Sequence, residues 1–454
     1  MTIYAAIAAT RFGMGARPQE LDRIGSDAQG WLTQQIGAPS VCSIGEVPTA
    51  AEGLTFLQTE YQALRRQIEE DGADPEEVQR RLRERISEPR SAHISARTNL
   101  ALTTEHSFAE RWVRFWSNHF SVNSNSRKLG IIAPTLEAEV IRPTAFGKFE
   151  DLLIAAETHV AMLIYLDQAI SVGPNSRAGQ FRNRGINENL AREILELHTV
   201  GVNGGYDQDD VEALARILTG WTVGSRRLRS DPADYGKTVF EPRIQEPGTH
   251  RLLGRRFGGE GQERSFQALR FLAGRRQTAT FIATKLARHF LADDPSERDI
   301  NHIARAFRDS DGELSEVARA VITAPAAFDP TPAKFKTPEE FLISSLRALN
   351  CQGLNPRQLY TAYASLGQAP FSAPSPAGWP DRVEDWASPD AVLKRLDFAS
   401  TLAERVGQAG RPRERAQAVL GERMSTDTAL SISRAESAEQ GLTLLFMSPE
   451  FQRR

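Results

Sequence analysis

The chain reads as mainly α: one large, bundle-like helical domain over residues 1–454 with a single small β-hairpin insertion at about 237–257. Three observations predict this. Apolar residues recur at the spacing of one helix face through most of the sequence. Strand-like residues gather only in KTVFEPRI and THRLLGRRF, on either side of the turn QEPG. No internal repeat and no linker-like stretch divides the 454 residues, so a single domain is expected. A hydrophobic share of 40%, before its 33 glycines, is enough to build a core and excludes a disordered chain.

The elements follow in order. MTIYAAIAATRF is a short apolar run with no basic residue before Arg11, so it reads as an opening helix rather than an export signal. The cytoplasm is then the default compartment. Residues 61–94 are charged and read as a helix, an ADP turn and a second helix, a solvated hairpin packed on the body. An aromatic helix runs from Thr104 to Val122, and another from about Ala145 to Asp167, before the loop SVGPNSRAG. The next, Asn187 to His198, is closed by glycines. Asp209 as N-cap with Glu212 at N3 starts a further helix, which Gly220 ends. Residues 223–260 hold a loop and the β-hairpin. Thr337, Pro338 and Glu340 fit N-cap, N1 and N3 of a later helix. The stretch 369–386 reads as an ordered Pro-rich loop, because Trp379 and Trp386 would be costly to leave exposed.

Charge and motifs exclude more than they assign. The 55 basic and 58 acidic residues nearly cancel, at net −3, so no global field would hold nucleic acid or an anionic membrane. Of the basic residues 48 are Arg, a skew that fits gene base composition better than a phosphate-binding surface. No apolar run approaches about 18 residues, so no membrane span is expected. Cys42 and Cys351 are too few for a disulfide framework and lack metal-ligand spacing. GxxxxGK[ST], HExxH, GxSxG and CxxC are all absent. Gly13-Met14-Gly15 lacks a third glycine, and Asp309 and Asp311 before Gly312 lack the remaining ligands of a calcium loop.

Polar residues on apolar helix faces are what remains. Phe108, Trp112, Phe115 and His119 fall on one stripe, so His119 points inward among aromatics, either as a hydrogen-bonded core residue or as a ligand. Arg111, Arg114 and Asn118 take another side. Asp167 extends the stripe of Phe149, Leu153, Ala156, Val160 and Leu163, where burial and the helix C-terminus both disfavour its charge. On Asn187–His198, Asn189, Glu193 and Glu196 share one flank and His198 takes the other, too far round a straight helix to join one ion. Glu188 and Arg192 fit a solvated ion-pair face. His289 shares a stripe with Ile282 and Leu286 and reads as a core residue.

Several segments together resemble the bacterial family catalogued as domain of unknown function 1800. They are RFGMGARP, ERWVRFWSNHFSV, MLIYLDQAISVGPNS, INENLAREILELHTVGVNGGY with DVEALARILTGWTV, TATFIATKLARHF, KFKTPEEF and PSPAGWP, in order along about residues 5 to 450. The resemblance implies one full-length helical domain. It also implies that Asn118-His119, Asp167, Asn189, Arg192, Glu193, Glu196, His198 and Gly220-Trp221 belong to the family pattern. Thr144, Gln245 and Arg275 stand where the resemblance implies histidines in many relatives, which weighs against a metal. Members are often encoded beside phosphatase- or sulfatase-like proteins of the domain of unknown function 1501 family, which often carry export signals. Export of this chain with such a partner is therefore a second expectation for its compartment.

Two functional readings stay open. One is an enzyme with a buried polar site, with or without a divalent metal. His119, Glu193 and Glu196 would be its ligands or acid–base groups, Asp167 and Arg192 orienting groups, and Asn118, Asn189, His198 and Trp221 ligand-binding positions. The other is a non-catalytic scaffold or chaperone for the 1501-family protein, with the inward polar residues as a packing network. An exposed apolar patch at Trp379 and Trp386 would favour it.

Overall fold

The opening run folds as the sequence predicts. Ile3–Ile7 (α1) is capped by Thr2, whose hydroxyl accepts from the Ala5 amide, and Ala5, Ala6, Ala8 and Ala9 are completely buried. The computed structural model describes residues 2–38, 43–70, 72, 74–182, 185–225, 230–331, 334–351, 355–407 and 411–454. Cys42 lies outside them. The charged hairpin is present and longer than expected, Ala50–Glu70 (α2) and Pro75–Thr103 (α3), with Asp74 capping the second helix and Pro75 opening it. The aromatic helix, Ser107–His119 (α4), is buried on almost every side.

The predicted helix from 145 to 167 breaks in two, Phe149–Glu157 (α5) and Val160–Tyr165 (α6), where His159 caps the second by accepting from the Ala161 amide. Asn189–Glu193 (α7) runs into a π-helical turn, Ile194–His198. Gln208–Leu218 (α8) starts two residues earlier than the sequence suggested. Its capping box is Asp207 with Asp210, which leaves Asp209 inside the first turn. Gly220 follows the C-cap Thr219 with φ 111°, the left-handed position expected of it. Arg276–Phe290 (α9) and Pro338–Ala348 (α10) complete the set that frames the site, and α10 has the predicted cap of Thr337, Pro338 and Glu340.

Three of the four described strands lie within the expected insertion, but they pair differently, and one of them with a strand that precedes it. Thr238–Phe240 (β2) pairs back onto Trp221–Val223 (β1), and His250–Leu252 (β3) pairs with Arg255–Phe257 (β4). QEPG is therefore not the hairpin turn. That turn is Leu253-Gly254, with φ 46° and 83°, the pair of positive values a two-residue hairpin needs. The strain at Leu253 is held by its amide, which donates to Asp210 Oδ1 at 2.6 Å.

One continuous apolar cluster extends from Ala5 to Phe451, centred on Phe12, Phe108, Trp112, Trp116 and Phe290. Trp112 packs 5.9 Å from Trp116 and 6.0 Å from Phe290, the separations of favourable aromatic pairs. Among the described residues three π-helical segments, Ala8–Phe12, Glu137–Ile141 and Ile194–His198, interrupt this otherwise regular frame. Each carries a buried ionisable residue: Arg11, Glu137 or His198. Among the described residues, no helix is long and apolar enough to cross a membrane.

Candidate functional site

Several arginines lie inside this molecule, among them Arg97, Arg111, Arg114, Arg142 and Arg454. Under α4, Arg97, Arg114 and Arg142 alternate with Glu110, Glu137 and Glu339 in a closed ring. Its contacts run Arg97–Glu137 2.7 Å, Glu137–Arg142 2.6 Å, Arg142–Glu110 2.8 Å, Glu110–Arg114 2.9 Å and Arg114–Glu339 2.6 Å, and Glu339 closes on Arg97. Three cations and three anions cancel, which is how so much charge is accommodated in a low-dielectric interior. Burial alone would raise the Glu137 carboxyl, but Arg97 and Arg142 outweigh it and hold the group well below the usual range.

A second network lies beside the first. The α10 capping carboxylate, Glu340, receives Arg111 on one oxygen and Arg454 Nε on the other at 2.9 Å. Arg454 reaches on to Asp381 at 3.3 Å. Asp381 also accepts from His289 Nδ1 at 2.7 Å and lies 3.4 Å from Lys334. Arg111 Nε donates to His289 Nε2 at 3.3 Å. A guanidinium can only donate, so His289 is neutral with its proton on Nδ1.

Between these networks opens a cavity of about 340 Å³, walled by the C-terminal half of α4, by α9, by the start of α10 and by the 369–386 loop. Six cationic residues line it (Arg97, Arg111, Arg114, Lys285, Arg288 and Arg382) against four acidic ones (Glu339, Glu340, Asp381 and Asp385). Asn118 holds the loop in place: its amide donates to the Trp379 carbonyl at 2.9 Å and its Oδ1 accepts from the Trp379 amide at 2.7 Å. Gly378 permits this approach, since a Cβ there would sit 2.4 Å from the Asn118 carbonyl oxygen.

Two groups on the cavity wall lack the partners their neighbours have. Lys285 makes no ion pair among the described residues; its ammonium lies 5.7 Å from the centre of the Phe281 ring. Burial lowers its pKa to about 8, against the opposing pull of Asp381. His119 Nε2 lies 3.3 Å from the His198 carbonyl oxygen, and a carbonyl can only accept, so Nε2 carries the proton. That leaves Nδ1 as a bare lone pair, buried and without a protein partner. Burial, then Lys285 and His198, pushes the His119 pKa well below the ordinary histidine value, so the ring is neutral.

A family model described as "Protein of unknown function (DUF1800)" matches residues 7–453. The chain belongs to the DUF1800 family. No curated protein and no solved structure matches it. Membership brings no assigned reaction, so the chemistry of this DUF1800 protein rests on its own geometry.

Of the residues expected to form a site, His119 and Asn118 lie on the cavity, whereas Asp167, Asn189, Arg192, Glu193, Glu196, His198 and Trp221 do not. His198 is completely buried behind His119, its Nδ1 2.7 Å from Glu157 Oε1. Neither atom of that contact is angled for a hydrogen bond, so it is an ion-pair distance only. Glu157 is the buried carboxylate that the sequence reading sought in Asp167. Asp167 itself is exposed, at φ 59°, because the helix ends at Tyr165 and the stripe does not continue. Glu193 and Glu196 lie on a half-buried face away from the cavity. There Arg192 pairs with Glu188 at 3.1 Å and lies 3.6 Å from Glu196, the ion-pair face foreseen for that helix. Burial raises the Glu193 carboxyl, and Glu196 adds to it against His198 and Arg192. Tyr206, bonded to Glu196, is pushed up to about 12, first by burial. Asn189 is exposed, and Trp221 packs between Phe240 and Phe266 in the core.

The divalent metal expectation finds no ligand set. Among the described residues no group of three or more His, Cys, Asp or Glu side chains converges on one point. His119, Glu193 and Glu196 do not form a site, since Glu196 is engaged by Arg192 and Tyr206. His289, read as a core residue, instead lines the cavity; Lys285 had no signal in the sequence beyond its place in the segment TATFIATKLARHF, and Asp381 none beyond its place in the Pro-rich loop. Trp386 is buried and packs 5.9 Å from Trp379, so that loop carries no exposed tryptophan patch.

Proposed function

We propose that this protein is an enzyme acting on a small anionic molecule held in the cavity between α4, α9 and α10. His119 Nδ1 is the proton acceptor, and Lys285 with Arg288 holds the anion. The observation that carries the reading is a lysine without an ion pair among the described residues beside an imidazole lone pair without a protein partner, in a cavity where Arg97, Arg111, Arg114, Glu339, Glu340 and Asp381 are all paired. A volume of about 340 Å³ suits a small molecule. Both groups have depressed pKa values because each charged form is buried without a counter-ion, and a bound anion supplies one. A substrate proton taken by His119 then leaves its electron pair on a substrate facing the Lys285 ammonium. His289, fixed by Asp381 and Arg111, orients the wall beside them.

Thermal unfolding against a panel of small carboxylates and phosphate monoesters tests this. At least one member stabilises the wild type, the Lys285→Met protein loses that response, and His119→Gln keeps the binding while losing turnover of the bound compound. A panel without any stabiliser, or a Lys285→Met protein that responds like the wild type, overturns it. Elemental analysis of protein purified without affinity metals checks the ligand geometry. The expected transition-metal content is far below one per chain, and a near-stoichiometric metal lost in His119→Ala would overturn the metal-free site.

A further inference from the structure

We propose that a second, separate groove binds one long-chain fatty acid, its carboxylate at Arg127 and Lys128 and its alkyl chain along α2. The groove lies between α2, the short helix Arg127–Ile132, α6 and the β1–β2 ribbon, and its volume of about 740 Å³ is in the upper range of ligand sites. Three observations carry the assignment. First, Leu54 and Leu57 of α2 pack only partly on the core, and with the exposed Tyr61, at i, i+3 and i+7, they line the groove, so part of this apolar stripe stays open to it.

Second, the opposite wall is apolar as well, with Ile164, Val172 and Val223, and its Ile170 is 62% exposed. Phe181, one helical turn from the lining residue Ala178, is 90% exposed. Third, the charge is confined to one place and one sign. No Asp or Glu lines the groove, and Arg127 and Lys128 make no ion pair among the described residues. A mostly apolar groove whose charged lining is all cationic matches a ligand with one anionic head and an unbranched tail.

The test is titration of the delipidated full chain with a fluorescent polyene fatty acid, cis-parinaric acid, below its aggregation concentration. Saturable binding of one molecule per chain is expected. Ile170→Asp, at an exposed position that the core does not use, weakens it by at least about tenfold, and the double change Arg127→Glu with Lys128→Glu does the same. An alkylammonium of equal chain length competes at least about tenfold less well than the fatty acid. Lys285→Met and His119→Ala leave the titration unchanged, so failure here is distinct from failure of the catalytic reading. No saturable binding, an unchanged Ile170→Asp protein, or equal competition by the alkylammonium overturns the proposal. A dimer that Ile170→Asp dissolves, without fatty-acid binding, also overturns it and assigns the face to a second copy.

Discussion

Arg97, Arg114 and Arg142 each face two glutamates in the closed ring under α4, whereas Lys285, on the wall of the adjoining cavity, faces none. Both regions are buried and both are built from charged residues, so burial alone does not separate structure from function. What separates them is completeness. The ring satisfies each cation with two anions and leaves nothing for a ligand, while the cavity retains one ammonium and one imidazole lone pair without protein partners. A charge that is costly to bury and is left uncompensated is the better functional candidate.

The comparison can be broken most directly at the ring. Glu137→Ala leaves Arg97 and Arg142 short of an anion in the interior and is expected to cost about 3–5 kcal/mol in denaturant unfolding. A loss below about 1 kcal/mol would show that the ring is not a matched unit. Lys285→Met should do the reverse. Because the folded-state pKa falls from 10.5 to about 8, the ammonium is disfavoured in the native protein. That penalty is fully present below pH 8 and is relieved as pH rises through 8 to 10.5, so wild-type stability climbs by at most about 3 kcal/mol over that window. The Met variant should lack the climb and be no less stable at pH 7; a destabilised, still-climbing variant would mean that Lys285 is paired after all.

Glu340 sharpens the contrast at the acid end. Burial raises its carboxyl, but Arg111 and Arg454 outweigh it and hold the pKa down to about 2. Its contribution is complete above 4.5 and is lost as pH falls toward 2. Glu340→Gln should remove about 2 kcal/mol at neutral pH and flatten that acid limb in thermal unfolding. At the small end, Arg192→Ala on the solvated Glu188–Glu196 face should change stability by no more than about 0.5 kcal/mol. A larger effect there would return that helix to consideration as a site.

Much of the frame was legible in the sequence, and much of the site was not. Thr337, Pro338 and Glu340 announced α10, Gly220 marked the end of α8, and the inward turn of His119 followed from its spacing to Phe108, Trp112 and Phe115. The separation of His198 from Glu193 and Glu196 also followed from helical spacing: His198 is buried while the two carboxylates lie on the half-buried face, although Ile194 to His198 is a π turn. Asp167 was misplaced because α5 and α6 stop and restart, so a stripe drawn through both does not reach it. The Arg-rich composition gave no hint that arginines would fill the interior.

Helix starts, helix ends, the mainly α class and family membership were determined by the sequence alone, because a cap is settled by residues within about four positions of one another. Apart from the local pairs Glu110–Arg114 and Glu137–Arg142, the closing of the ring, the cavity and the partners of its buried charges were decided only by the tertiary structure. Arg97 meets Glu339 across 242 residues, Arg111 meets Glu340 across 229, and His289 meets Asp381 across 92. At such separations nothing local selects the partner. The packing of α4 against α9 and α10 does, and with it which two groups are left unpaired in the cavity.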